Sequence, residues 1–416
     1  MTEKLVIVGN GMAPGRMLEH LLGEAPRRYR VTIFNAEPRV NYDRIMLSPV
    51  LSGEKEYEQI IIHGDGWYRE HRITLHKGHR VVAIDRSAKT VTSDQGVTES
   101  YDKLVIATGS HPVVLPVPGH TLNGVLTYRD LDDVNTMLLA AQSTAKAVVI
   151  GGGLLGLEAA AGLKSRGMDV TVLHVMPTLM ERQLDPAAGQ LLREAVESRG
   201  IRVLAQASTK AILGGATVEG VELTDGTTIP AALVVMAVGI RPNVELAKAA
   251  GLAVGRGIII DEGMQTSDPD ILAVGECVEA GGRVYGLVAP LYEMARVAAA
   301  RLAGDVSASF VHADTPTRLK VTGIELFALG DFAEGEDRES VVLRDVAAGV
   351  YKRVILRQDR IIGTVLFGET GDGAWFSELK QKAVDVSKMR DTLIFGQAYQ
   401  GGPPLDPYGG RCSLAA

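Results

Sequence analysis

Lys146-Ala147-Val148-Val149-Ile150-Gly151-Gly152-Gly153-Leu154-Leu155-Gly156-Leu157-Glu158 is the stretch on which the fold turns. An apolar run of strand length enters three glycines and leaves in a helical pattern. In that order, backbone N–H groups can approach a pyrophosphate at the positive end of a helix. The same order stands near the chain start, where Leu5-Val6-Ile7-Val8 runs into Gly9-Asn10-Gly11. One such turn predicts one dinucleotide. Two predict two dinucleotides held by one chain, and the usual reason is hydride transfer between a nicotinamide and a flavin.

Composition bounds the rest. The 416 residues are enough for two or three domains, and 46% hydrophobic content allows sizeable cores. Forty-three basic against fifty acidic residues give a net charge of −7, which argues against a nucleic-acid partner. No apolar run approaches the ~20 residues of a membrane span. A basic segment followed by an apolar core is absent before Leu5, so no secretory leader is expected. The two cysteines, Cys277 and Cys412, form no CxxC pair and supply neither an iron–sulfur cluster nor a thiolate zinc site. A reducing cytoplasm fits that usage, and no metal site is expected.

Outward from the two turns, Lys4–Val8, Ala13–Leu22 and Arg30–Phe34 read as strand, helix and strand, with Glu37 just beyond. An acid there commonly accepts the ribose hydroxyls of an adenine dinucleotide. Tyr101–Thr108 is a further apolar strand ending at Ala107-Thr108-Gly109. Around the second turn, Asp169–Leu173 is the next strand of the unit and Ala231–Val238 a late strand ending at Gly239. Residues 258–276 return to strand character and end at Ala273-Val274-Gly275-Glu276, after which Pro290 is expected to open an alanine-rich helix. From about Thr315, short strand-like runs at Arg318–Ile324, Ser340–Asp345, Gly349–Leu356 and Arg360–Leu366 predict a small α+β domain. The Gly- and Pro-rich end predicts a flexible tail over 401–416.

Taken together, these motifs resemble the two-dinucleotide flavoprotein reductases, in the rubredoxin- and ferredoxin-reductase branch. Within it the chain is similar to the flavin-binding module of NAD(P)H-dependent assimilatory nitrite reductase large subunits and to the electron-transfer subunits of assimilatory nitrate reductases. The residues that carry the resemblance are Gly9 to Met12, Tyr42-Asp43-Arg44, Ala107 to Ser110, Gly151 to Glu158, Gln183-Leu184-Asp185, Gly239 to Asn243, Ala273 to Cys277, Tyr285 to Pro290, Leu319 to Ile324 and Gly330-Asp331. It spans nearly the whole chain to about residue 400. It implies an α/β fold of two Rossmann-like, glutathione-reductase-like dinucleotide-binding domains plus a small C-terminal α+β domain. The expected boundaries are 1–112 with 245–312 for the FAD-binding domain, 113–244 for the NAD(P)H-binding domain, and 313–400 for an interface domain. The chain departs from the family pattern in carrying Pro14 in place of the third glycine of the first turn, with Gly15 after it. It also has Ser48-Pro49 where relatives often carry a flavin-contacting lysine, and Glu276 where many flavoproteins carry Asp.

Site expectations follow. Gly9, Gly11, Met12 and Glu37 are expected to hold the FAD pyrophosphate and adenosine, and Thr108, Gly109, Gly275 and Glu276 to lie along the flavin. Glu276 would bond the ribityl chain. Val288, Ala289 and Pro290 would aim the free N–H groups of a helix start at the flavin edge where negative charge collects on reduction. Arg44 has two readings, a contact with the flavin phosphate or isoalloxazine edge or a surface ion pair, and Arg129 has a place near the nicotinamide side of the cleft as its functional reading. Gly151, Gly153, Leu154, Leu155 and Gly156 are assigned to the nicotinamide dinucleotide, and Gly239 is a further cofactor-binding candidate. The resemblance places Glu158 near the nicotinamide–flavin contact, as the one catalytic candidate. His174 stands where an NAD-specific site often has an acid, and it either packs beside the adenine or leaves room for Arg182 to reach a 2′-phosphate. NADH is the expected donor, with NADPH possible. An iron–sulfur acceptor protein or a catalytic reductase subunit is the expected partner. Direct nitrite reduction is not expected of a sequence with these two cysteines. An oxygen-reducing NADH oxidase, or an NADH-sensing flavoprotein that acts through partner binding, are the alternatives.

Overall fold

The computed structural model describes residues 2–143, 145–319, 321 and 323–400. The chain divides into two compact units. The first takes in Met1–Pro116, Leu126–Ser143 and Met236–His312; the second takes in Val117–Val125, Thr144–Val235 and the described part of Ala313–Ala416.

The first unit is built on a five-stranded parallel sheet in the order Ile271–Ala273, Lys103–Ile106, Glu3–Val8, Tyr29–Asn35, Thr74–Lys77. Its central strands start half-exposed and are buried from their second or third residue onward. Leu5, Ile7, Ile33, Leu104, Val105 and Ile106 are all fully enclosed, the pattern of a sheet covered on both faces. Helix Met12–Glu24 packs along helix Val288–Ala303 through Met17, Leu18 and Leu21 on one side and Met294, Ala295 and Ala298 on the other. Small alanines let the two backbones approach closely.

The second unit holds a sheet whose strands Leu233–Met236, Lys146–Ile150, Asp169–Leu173 and Arg202–Leu204 are neighbours in that order, the last three parallel. It also holds a five-stranded antiparallel sheet in the order Thr317–Arg318, Leu326–Gly330, Arg360–Phe367, Val350–Arg357, Glu339–Asp345. Helix Gly373–Gln381 closes that sheet through Phe376, which sits with Phe327, Val354 and Leu366 in a separate core.

The α/β expectation holds, and the differences lie at particular segments. Helix Leu131–Ser143, expected with the second dinucleotide domain, belongs to the first unit. It packs on helix Leu47–Ser52 of that unit with Leu131, Val134 and Met137 buried, Asp132 takes Arg39 Nη1 and Nη2 at 3.0 and 2.5 Å, and Tyr128 just before the helix bonds Ser48 at 3.0 Å. The strand expected at Arg318–Ile324 is instead a two-residue strand, with the long strand beginning at Leu326. Gly323, at φ +76°, turns the chain there, as a β-strand cannot. The helix expected to open at Pro290 begins at Val288 and carries Pro290 at its third position. The predicted tail, 401–416, lies outside the described residues.

Candidate dinucleotide sites

The first turn is shaped by crowding on one side and openness on the other. Gly9 has φ +108°, and a Cβ there would sit 2.2 Å from the Ala107 carbonyl oxygen, so only glycine fits. Gly11 caps helix Met12–Glu24 with no side-chain hydrogen bond, and a Cβ added to it would meet nothing within 4 Å. The first-turn N–H groups of Met12 and Ala13 have no acceptor within the helix, and the helix carries partial positive charge at this end. Pro14 falls at the third helical position and is buried. It lacks one of those orphan donors and breaks no helical bond. The close packing that a third glycine would serve passes to Gly15, whose added Cβ would lie 3.0–3.2 Å from the Asn41 side chain. Asn41, fully buried, holds the turn by donating to the Asn10 and Gly11 carbonyls at 2.8 and 2.6 Å.

Around this turn, the predicted polar residues converge in two groups. Glu37 accepts from the Tyr42 hydroxyl at 2.8 Å and from the Arg44 guanidinium. Arg44 also donates to the Arg129 carbonyl at 3.1 Å. Burial pushes the Tyr42 phenol far above its ordinary range, so it remains a donor to Glu37. In the second group, the Glu276 carboxylate accepts from Ser110 Oγ at 2.7 Å and from the Arg129 guanidinium. Gly109, at φ +67°, leaves 3.7 Å between its own Cβ position and Arg129 Nη2. Thr108 Oγ1 donates to the Asn243 carbonyl at 2.9 Å, and Asn243 Nδ2 returns a bond to the Thr108 carbonyl at 2.8 Å. Gly275 adopts φ +95° and brings Glu276 out of the sheet end. Val288 and Ala289 form an uncapped helix start like that at Met12, again with proline third. Gly239, a cofactor-binding candidate from sequence, lies in the first unit, where its carbonyl accepts from Val113 N at 2.9 Å. Cys277 is fully buried and burial raises its thiol, so it acts as a packing residue.

The second turn repeats the design within the second unit. Gly151 has φ +123°, and its N–H donates to the Leu173 carbonyl at 2.8 Å. Gly153 caps helix Leu154–Ser165 without a side-chain bond, and a Cβ there also meets nothing within 4 Å. Leu155 is partly exposed beside that open start, while Gly156 is buried in the first turn and Glu158 in the next. Gly152 is required for a different reason: its Cβ would lie 2.5 Å from Leu179 Cδ2 and 2.7 Å from His174 Cγ. His174 itself is buried, with Nδ1 accepting the Gly152 N–H at 3.1 Å and Nε2 within 3.1 Å of both the Thr178 carbonyl and Glu181.

Both cradles fit a dinucleotide on the same physical grounds: uncapped donors, positive helix ends and open space in front of a glycine. Residues missed from sequence are Asn41, Ser110, Asn243 and Glu181, each a partner of a predicted residue. Only Ser110 and Asn243 carried a signal, as neighbours of the small-residue–Gly motifs.

A fold of two such cradles on parallel sheets defines a flavin- and nicotinamide-dependent oxidoreductase. The chain belongs to the pyridine nucleotide-disulphide oxidoreductase family, whose model matches residues 3–302, and the rubredoxin NAD+ reductase C-terminal domain matches residues 316–383. It is 47% identical over 94% of its length to a nitrite reductase [NAD(P)H] of Bacillus subtilis, covering 49% of that protein. It is 42% identical over 93% of its length to an assimilatory nitrate reductase electron transfer subunit of the same organism, covering 51% of it. The chain thus spans about half the length of these curated relatives. Among solved structures, the ferredoxin reductase for the CYP199A2 system of Rhodopseudomonas palustris superposes with a TM-score of 0.83 at 28% identity, covering 94% of this chain and 100% of that one. Among the described residues, no helix is long and apolar enough to cross a membrane.

Proposed function

We propose that this chain is an FAD-dependent NAD(P)H:acceptor oxidoreductase that takes hydride from NADH and passes electrons to an iron–sulfur partner. The observation that carries the reading is the pair of uncapped helix starts at Gly11 and Gly153, one in each unit, each facing open space. When bound, FAD supplies the junction between a two-electron donor and a one-electron acceptor.

The chain's own residues bind and orient. Gly11 and Met12 present backbone donors to the FAD pyrophosphate, Gly9, whose own N–H is donated to the Phe34 carbonyl at 2.8 Å, shapes the turn that brings them there, and Glu37, steadied by Tyr42 and Arg44, takes the adenosine ribose. Glu276 faces the ribityl chain while Arg129 and Ser110 fix its carboxylate. The helix start at Val288–Pro290 offers N–H groups and positive dipole to a reduced, negatively charged flavin edge. Gly151, Gly153 and the first turn Leu154–Gly156 do for the nicotinamide dinucleotide what Gly9 and Gly11 do for FAD. Glu158 is the candidate for orienting the nicotinamide carboxamide. The transfer needs orientation rather than an acid or base.

The names of the relatives support the acceptor class. Two are a nitrite reductase and a nitrate reductase electron transfer subunit, and one solved neighbour is a ferredoxin reductase. We assign the chain to nitrate or nitrite assimilation in the cytoplasm, with a ferredoxin-type protein or a reductase catalytic module as acceptor. Steady-state turnover tests this: NADH should drive reduction of a ferredoxin or a one-electron dye much faster than oxygen uptake. Equal or faster oxygen uptake would favour an oxidase instead.

A further inference from the structure

His174 ends strand Asp169–Leu173 at the place where an acid commonly grips the ribose 2′-hydroxyl. Its ring is turned inward. The Gly152 N–H occupies the Nδ1 lone pair at 3.1 Å, so the ring proton lies on Nε2. That Nε2–H faces the Thr178 carbonyl and the Glu181 carboxylate, both at 3.1 Å. The loop that brings Glu181 back is held tightly. Met180 adopts φ +51°, a left-handed conformation uncommon for its side chain, and its N–H donates to the Gly152 carbonyl at 3.0 Å. Gly152 is therefore clasped from both sides, its N–H by His174 and its carbonyl by Met180. The charge at this strand end is the carboxylate of Glu181, whose side chain retains 30% exposure.

We propose that Glu181, oriented by His174, is the residue that selects NADH over NADPH. This rests on the reading of the second cradle as the nicotinamide-dinucleotide site. A carboxylate accepts a 2′-hydroxyl and repels a 2′-phosphate, and a histidine whose only free proton is spent on that carboxylate offers the phosphate nothing. His174 is a positioning residue: it acts through Glu181 and through the Gly152 amide. Arg182, exposed and next in sequence, is the opposing charge.

The test is calorimetric titration of the FAD-loaded protein with NAD+ and, separately, NADP+, which bind without redox turnover. Wild type should bind NAD+ at least about tenfold tighter than NADP+. Glu181→Gln should narrow that ratio about tenfold or more, chiefly by gaining NADP+ affinity. His174→Ala should weaken NAD+ and narrow the ratio together. A merely structural role at either position would weaken both dinucleotides by one factor and leave the ratio unmoved, and that result overturns the proposal. So would a wild type that prefers NADP+, which would assign the 2′-position to Arg182. If FAD stays bound and neither dinucleotide binds wild type, the reading of the second cradle fails, and the proposal with it.

Discussion

Asp185 and Arg353 form a buried ion pair at 2.9 Å that ties the start of helix Pro186–Glu197 to strand Val350–Arg357. The same carboxylate caps the helix by accepting the Ala188 N–H at 3.1 Å, and it accepts the Tyr351 hydroxyl at 2.5 Å. One side chain thus fastens the second dinucleotide sheet to the antiparallel sheet of the same unit. Removing it leaves a buried guanidinium whose remaining hydrogen-bond partner among the described residues is Ser340. Asp185→Ala is expected to lower unfolding stability by about 3–5 kcal/mol, read from urea denaturation. A loss under about 1 kcal/mol would mean that Arg353 finds another partner.

Three phenols are held well above their ordinary range, Tyr42 and Tyr351 by burial foremost and Tyr101 by burial to about 12. The folded chain keeps protons that the unfolded chain releases near pH 10. Their contribution is fully present below the unfolded value and is lost as pH rises through the folded values. The urea midpoint should fall steadily from about pH 10 upward, and Tyr101→Phe should flatten that fall. A midpoint that holds or rises with pH in that range contradicts it.

The two cradles should fail separately. Gly9→Ala forces a Cβ to 2.2 Å from a backbone oxygen at a left-handed φ, so the purified protein should lose its flavin absorbance. Gly152→Ala presses on Leu179 and His174 in the other unit and should leave flavin content intact while raising the KM for NADH about tenfold or more. Flavin loss in both variants would contradict independent sites.

Arg129 and Glu276 should act on FAD as one unit because their charges meet directly. In a double-mutant cycle of Arg129→Ala and Glu276→Gln, FAD Kd values should deviate from additivity by about 1 kcal/mol or more. Additivity within about 0.5 kcal/mol would show that the two touch the flavin site independently.

The two cradles were legible in the sequence because a glycine turn after an apolar strand is local: Gly9 and Gly151 need only their own neighbours to declare a left-handed turn. What was not legible was long-range. Nothing near His174 in sequence says that its ring is spent on Gly152 and Glu181, since Gly152 lies a strand and a helix away. The role of Arg129 stayed open for the same reason, as its partner Glu276 comes from a distant part of the chain. Helix Leu131–Ser143 was assigned by chain order, whereas its packing on helix Leu47–Ser52 and the Arg39–Asp132 pair join it to the first unit. Pro14 stood out as a missing glycine, but only the packing on Asn41 made Gly15 its substitute.

The central claim is that this chain carries electrons from NADH through FAD to a one-electron acceptor. Anaerobic stopped-flow tests it most directly: the FAD-loaded protein is mixed with NADH, the flavin band near roughly 450 nm is followed, and a reduced iron–sulfur acceptor is then sought. Rapid bleaching is expected, then rapid recovery when oxidised ferredoxin or a nitrate reductase catalytic subunit is added. Bleaching that only oxygen reverses, or no bleaching within seconds, would contradict it.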